Sequence, residues 1–260
     1  MIVDLLIALI LVPAMSIAAV ILVPFAYAKC SALALARWCR HARALVLTYD
    51  DGPGETLTPQ LLALLRRHQV KATFFPLGRS AVQHPDALDQ VAKEGHELAC
   101  HGNRHCHSWK VWPREALQDI EQGYASLARW MPATALFRPP YGKITLFTWL
   151  AVVKRKARIV WWTHDSGDTC AGTLPTVESV VDGIIQDGGG VVLLHDFDRK
   201  GGGANPPRHQ FVLDVTRRLI ERAASSDLKI MTLGDLLELR RQPRLRPARD
   251  SALTNILQPP

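Results

Sequence analysis

The 260-residue chain is 48% hydrophobic and 21% charged, with a formal net charge of +7, which fits one globular domain plus an appended apolar segment. The basic balance raises a nucleic-acid role, but no binding module or aromatic-basic stacking platform accompanies it; internal repeats are absent, and Gly188 to Gly190 precedes a strand-like run where a phosphate loop would follow one. Five cysteines, an odd number without paired spacing, agree with a reducing compartment.

Leu5 to Ala28 carries no charge. As a helix rising about 1.5 Å per residue it spans about 36 Å, against about 30 Å of hydrocarbon, so a membrane anchor is expected over residues 1–29. Pro13 and Pro24 are tolerable there. Ala26-Tyr27-Ala28 has the small-x-small form of a signal-peptide cleavage site, but the long apolar core and the absence of Lys or Arg before it favour an anchor. Lys29, Arg37, Arg40 and Arg43 follow the span, and the positive-inside rule then predicts a single-pass inner-membrane protein with its domain in the cytoplasm; the periplasmic or extracellular side is the alternative. Residues 30–43, with Trp38 between Arg37 and Arg40, read as a basic amphipathic linker lying along membrane lipid headgroups.

From residue 44, β-branched or aromatic runs alternate with helical patterns. The runs are Ala44 to Tyr49, Ala72 to Phe75, His96 to Ala99, Leu136 to Phe137, Ile159 to Trp162, Val191 to Leu194 and Lys229 to Met231. Thr58-Pro59 reads as N-cap and first residue of a helix whose apolar face is Leu61, Leu62, Leu64 and Leu65; Gly95 closes another, and Pro113 opens the next. Strands joined by helices need right-handed crossovers and a parallel sheet, which at this length favours an α/β fold with a closed, irregular (β/α) barrel of about seven parallel strands over residues 44–240; an open doubly wound sheet would share these features, and the barrel rests partly on the family resemblance carried by the motifs below. Gly201-Gly202-Gly203 through Pro207 reads as a loop near the active face, and residues 241–260 as a basic, disordered tail.

Chemistry enters where the first run ends. Thr48-Tyr49-Asp50-Asp51-Gly52-Pro53 places two adjacent carboxylates at a strand end, where repulsion and desolvation call for a cation or a proton transfer; an acidic turn is the bland alternative. His101-Gly102-Asn103-Arg104-His105 follows, with two imidazoles at i and i+4. Two histidines and a carboxylate such as Asp51 leave coordination positions open, as a catalytic metal requires. A solvated His-rich loop remains open, and a structural zinc site on Cys100, Cys106 and His107 ranks lower for want of CxxC spacing.

With Phe137-Arg138-Pro139-Pro140-Tyr141-Gly142, Asp165-Ser166-Gly167-Asp168 and Leu193-Leu194-His195-Asp196 added in order, the chain resembles the polysaccharide deacetylase family, the NodB-like carbohydrate esterases, from roughly residue 44 to 239. Gly102 stands where that family usually has Ser or Thr, Cys106 where Pro is common, and Thr169 where a Trp often walls the acyl pocket. The resemblance implies that Asp51, His101 and His105 hold a divalent metal, zinc first, with Co2+, Ni2+ or Mn2+ as alternates, which polarises the acyl carbonyl and acidifies water. It implies Asp50 as general base held by Arg138, the Tyr141 N–H as oxyanion donor, and His195 as acid for the leaving amine. Asp168, and second Asp165, would raise the pKa of His195, and Leu193 would line a pocket for a small acyl group. The implied reaction removes an N-acetyl or N-formyl group from an amino sugar, with an O-acyl esterase or a catalytically idle sugar-binding protein as alternatives. A cytoplasmic domain further resembles the subgroup that deacylates undecaprenyl-phosphate amino sugars.

Overall fold

The computed structural model describes residues 2–132, 135–198 and 206–241. One helix, α1 (Ile2–Ala42), runs through Pro13 and Pro24 and leads directly into β1 (Ala44–Asp50), whose seven residues are all buried. Its stretch Ala18–Ala42 is long and apolar enough to cross a membrane, by length and composition.

The central strand β1 pairs in parallel with β2 (Thr73–Phe75) on one side and β5 (Gly190–His195) on the other; β3 (Glu97–Leu98) lies beyond β2, and β4 (His164–Asp165) beyond β5. β6 (Lys229–Ile230) pairs with the first two residues of β1, below the reach of β2. Past β3 the sheet continues through the parallel single-residue bridges Cys100–Phe137 and Phe137–Ile159. The segment that opposes Phe137 at Ile159 pairs with Val192 at His164, so one stretch of chain closes the ring. The barrel is therefore parallel and irregular, as expected, but its fifth run contributes a ladder at His164–Asp165, two residues beyond the predicted Ile159 to Trp162. The reason is geometric: the run crosses between two neighbours and pairs with each at a different point.

Among the described residues, eight α-helices wrap this ring: α2 (Leu57–Arg67), α3 (Gly78–Gln83), α4 (Pro85–Lys93), α5 (Pro113–Leu127), α6 (Leu146–Lys154), α7 (Val177–Gln186), α8 (Pro206–Ser225) and α9 (Leu233–Arg241). The period-two alternation of β1 divides the core. Leu45, Leu47 and Tyr49 pack outward with Leu61, Leu62 and Leu65 of α2, whereas Ala44 and Val46 pack with Phe75, Ala99, Val160 and Val191. Thr48 and Asp50 continue that second face. Gly95, at φ 74°, follows α4, and Pro113 opens α5, as predicted. Thr58 is not an N-cap. The helix starts at Leu57, its first N–H groups (Thr56 at 2.7 Å, Leu57 at 3.2 Å) donate to the Asp198 carboxylate, and the Thr58 hydroxyl is recruited by Asp196 at 2.7 Å.

Residues 30–42 continue α1. Leu35, Trp38 and Cys39 join Ala44, Val46, Leu233 and Leu236 in the second core cluster, and the Trp38 indole donates to the Leu236 carbonyl at 3.2 Å. The apolar side expected to lie on lipid headgroups thus packs beneath the barrel, where burial of each such side chain is worth about 1.5–3 kcal/mol. The Gly-rich stretch at 201–203 and the tail from 242 lie outside the described residues.

Candidate metal and acid-base site

Asp50 ends β1 and is buried; its Oδ1 accepts from Arg138 Nη1 at 2.7 Å, and the same Nη1 lies 2.7 Å from the Thr48 hydroxyl. Arg138 is fully buried, its guanidinium 4.1 Å from the Phe75 ring centroid. Burial pushes the Asp50 pKa upward while the guanidinium opposes the shift. The result is a carboxylate held in place through one oxygen, leaving Oδ2 for other work.

Asp51 turns away at φ 71°, with its N–H on the Phe75 carbonyl at 3.2 Å. Its Oδ1 lies 3.4 Å from His101 Nε2 and 3.3 Å from His105 Nε2. The ligand atoms of Asp51, His101 and His105 all fall within 4.8 Å of one another, the one such donor group among the described residues, so Cys100, Cys106 and His107 form none. His101 Nδ1 lies 2.7 Å from the Arg138 carbonyl, which can only accept, so the proton sits on Nδ1 and Nε2 presents a lone pair.

This donor set fits a divalent cation on the structure's own terms. Asp51 Oδ1 is buried without a hydrogen-bond partner. Burial, seconded by the Asp50 and Asp168 carboxylates and opposed by His195, drives the Asp51 pKa up to about 7, the signature of a carboxylate lacking a counter-charge. Burial also lowers His101 and His105 to about 3, so both imidazoles are neutral donors at physiological pH.

The His101–His105 loop is shaped by α5. Asp119 accepts from the backbone N–H of Asn103 at 3.1 Å and of Arg104 at 2.8 Å. Gly102, at φ 79°, has no room for a side chain, since a Cβ would lie 2.5 Å from Asp119 Oδ2; a Cβ on Gly123 of α5 would lie 2.5 Å from the Gly102 carbonyl carbon. The helix backbone thus rests on the loop backbone, and this accounts for glycine at 102. Asp51, His105 and Tyr141 all have positive φ, and such backbone outliers in non-glycine residues gather where function over-determines geometry.

His195 stands opposite Asp50 in the β1–β5 register. Its Nδ1 lies 2.9 Å from Asp168 Oδ1, and its backbone N–H donates to Asp168 Oδ2 at 2.8 Å. Burial acts against the imidazolium, but the Asp168 charge and hydrogen bond, with Asp51 and Asp50 behind them, hold the His195 pKa up at about 9. Arg208 of α8 fixes the Asp168 loop by donating to the carbonyls of Asp168 and Cys170 at 2.6 and 2.7 Å. Asp165 does not join this group. It is exposed and accepts from Gly167 N–H at 2.9 Å in an Asx turn, so of the two expected partners for His195 only Asp168 is in contact. Leu193 is buried two residues before His195. Tyr141 is 55% exposed, its ring centroid 4.3 Å from that of His105.

Asp196 and Asp119 were not foreseen as site residues. Asp196 lies buried under the Asp50–Gly54 turn: its carbonyl accepts from Gly54 N–H at 2.9 Å, and a Cβ on Gly52 would sit 2.2 Å from its Oδ1. Burial, opposed by the Thr58 hydroxyl, raises its pKa to about 7. The only sequence signal was its place after His195. A groove of about 1210 Å3 between α1, α6 and α9, lined by Tyr27, Trp149 and Leu237 among others, shares no residue with the donor set.

A parallel α/β barrel whose strand ends gather a cation-ready donor set, a separate carboxylate and a carboxylate-paired imidazole is built as a hydrolase. Residues 38–171 match the family model described as Polysaccharide deacetylase, and the chain belongs to that family of carbohydrate deacetylases. It is 34% identical over 198 residues to a peptidoglycan-N-acetylglucosamine deacetylase of Bacillus cereus, covering 75% of this chain and 88% of that one. It is 30% identical over 178 residues to a chitooligosaccharide deacetylase of Bradyrhizobium sp., covering 68% and 78%. Among solved structures, a peptidoglycan N-acetylglucosamine deacetylase in complex with 4-naphthalen-1-yl-N-oxidanyl-benzamide superposes with a TM-score of 0.65 at 28% identity, over 76% of this chain and 89% of that one.

Proposed function

We propose that this chain removes an N-acyl group, acetyl before formyl, from an amino sugar of the N-acetylglucosamine type, the unit named in the relatives' descriptions. The reading rests on one observation: an orphaned, buried carboxylate oxygen of Asp51 between two neutral imidazoles, with Asp50 Oδ2 3.7 Å from His101 Nε2. A divalent ion held by Asp51, His101 and His105, zinc first, would supply Lewis acidity to the acyl oxygen and to water.

The chain's own groups handle the protons. Asp50, tethered by Arg138 through Oδ1, takes the proton of the attacking water as the new C–O bond forms. The Tyr141 N–H, at the turn that follows Arg138-Pro139-Pro140, donates to the oxyanion. His195, kept protonated by Asp168, delivers a proton to the sugar nitrogen as the C–N bond breaks. A carboxylate and a free amine leave. Leu193 bounds the space for the acyl methyl.

The proposed setting is a single-pass inner-membrane protein: residues 1–29 anchor it, the deacetylase domain over 44–240 lies in the cytoplasm, and the amino sugar is carried on a lipid such as undecaprenyl phosphate. The apolar first part of α1 and the basic residues after it support that reading. The test pairs metal analysis with product analysis on an N-acetyl amino-sugar oligomer. Asp51→Ala and His101→Ala are expected to lose metal and activity together, while Asp50→Asn and His195→Ala keep the metal and lose about 10²–10⁴-fold in rate. A fully active Asp50→Asn would overturn the assignment of the base, and release of a hydroxyl in place of an amine would make the enzyme an O-acyl esterase.

A further inference from the structure

We infer that the catalytic rim is also the membrane-docking face, with α1 leaving the domain beside the active site and the bilayer lying against the mouth that the substrate enters. The inference deepens the lipid-linked reading above and rests on its claim that α1 spans a membrane.

The contacts of α1 fix its direction. At its C-terminal end, Arg40 Nε donates to the Asp187 carbonyl at 3.0 Å and Arg43, just past the helix, donates to the Ser226 carbonyl; both acceptors precede strand starts, at the end of the barrel opposite the site. Higher up, Ala28 packs with Ile144 and Trp161, and Tyr27 stacks on Trp149 with centroids 4.6 Å apart. Higher still, Phe25 meets Trp109 edge-on at 6.0 Å. From there ring contacts lead straight to the donor set: Trp109 to His107 at 6.3 Å, His107 to Tyr141 at 4.9 Å, and Tyr141 to His105 at 4.3 Å. The helix therefore climbs the barrel wall from its closed end to the catalytic end.

The docked face of α1 is a stripe of buried residues that includes Pro24, Ala28, Leu35, Trp38 and Cys39, and none of residues 18–23 just before it is buried. Residues 2–23 rise about 33 Å at about 1.5 Å per residue, close to the roughly 30 Å of a hydrocarbon core. The apolar length needed to cross a bilayer thus begins where the helix passes the active-site rim.

The rim itself is dressed for an interface. Trp112 is 77% exposed, and Phe147 and Tyr141 are also open to solvent, all three on segments that follow strand ends on the catalytic side. Lys110 and Arg114 flank Trp112, and Lys143 lies over the Trp109 ring at 4.5 Å. Aromatic side chains interleaved with lysine and arginine, beside the exit of an apolar helix, match the chemistry of an anionic headgroup layer. An amino sugar presented at headgroup depth would meet Asp50 and His195 without the domain leaving the surface.

The experiment uses the full-length protein in vesicles of phosphatidylcholine and phosphatidylglycerol, with and without brominated acyl chains. Quenching of tryptophan fluorescence is compared for wild type, Trp112→Phe and Trp130→Phe, the last reporting from the far end of α5. The expected result is quenching that drops in Trp112→Phe alone, together with about fivefold weaker docking in Lys110→Ala, the equivalent of about 1 kcal/mol per basic residue. Equal quenching in all three proteins, with α1 still resisting alkaline carbonate extraction, overturns the docking face. Release by carbonate overturns the spanning reading beneath it. Unchanged quenching combined with a raised KM for a soluble oligosaccharide in Trp112→Phe would make the rim a sugar platform and also overturn the inference.

Discussion

Asp168→Asn is the sharpest probe of the proposed acid. Asparagine keeps the shape, and its carbonyl oxygen can still accept from the His195 N–H, but the charge that lifts the imidazole is gone. With Asp168 present His195 sits at about 9, against an ordinary 6.5; without it, burial is opposed only by the Asp51 and Asp50 charges and the value falls back toward 6.5, a drop of about 2.5 pH units. A general acid works below its pKa and is lost as pH rises through it, so the alkaline limb of kcat/KM moves down. At pH 8 the protonated fraction falls from about 90% to about 3%, roughly thirtyfold in rate, while at pH 6 the two enzymes differ by less than about twofold from this cause. A bound cation lowers both values together, so the separation between the limbs carries the test. The assay is a pH profile of amine release by metal-loaded wild type and variant, with metal content checked at each pH. A limb that moves by less than about one unit would refute the pairing of His195 with Asp168 as the source of the leaving-group proton.

Arg138→Met should leave Asp50 buried without its counter-charge, costing about 3–5 kcal/mol in a chemical-denaturation midpoint series. Because a base works above its pKa and loss of the guanidinium raises that of Asp50, the acid limb of the rate profile should move to higher pH, with partial rescue in Arg138→Lys. Gly123→Ala places a methyl 2.5 Å from the Gly102 carbonyl carbon; overpacking of about 1–3 kcal/mol should lower Tm by about 5 °C and weaken metal affinity measured by competition with a chelator, leaving both pH limbs in place.

Much of this was legible in the chain because the strands that matter most carry their chemistry at their ends. β1 and β5 read as apolar runs stopping at Asp50 and His195, and the structure puts those two residues side by side. What stayed hidden depends on contacts distant in sequence. Asp119 acts on backbone N–H groups 15 and 16 residues away, which no local pattern announces. Thr58 has the chemistry of an N-cap, but Asp196, 138 residues on, competes for its hydroxyl, and Asp198 does the capping instead. Asp165 and Asp168 are the same residue type in one short motif; only the fold turns the second toward His195 and leaves the first in solvent. Residues 30–42 have an amphipathic pattern that suits a headgroup layer and a protein surface equally, and the closed end of the barrel supplies the surface.

The Asp50–His195 register carries a consequence for which parts of the site substitutions can alter. The two groups proposed to handle protons ride on hydrogen-bonded neighbours of the sheet, whereas His105 and Tyr141 sit on loops in left-handed backbone. The spacing of that pair is set by the sheet ladder, whereas the positions of His105 and Tyr141 are set by loop backbone. Substitutions in those two loops are therefore expected to change ion or glycan preference before they change the Asp50–His195 spacing.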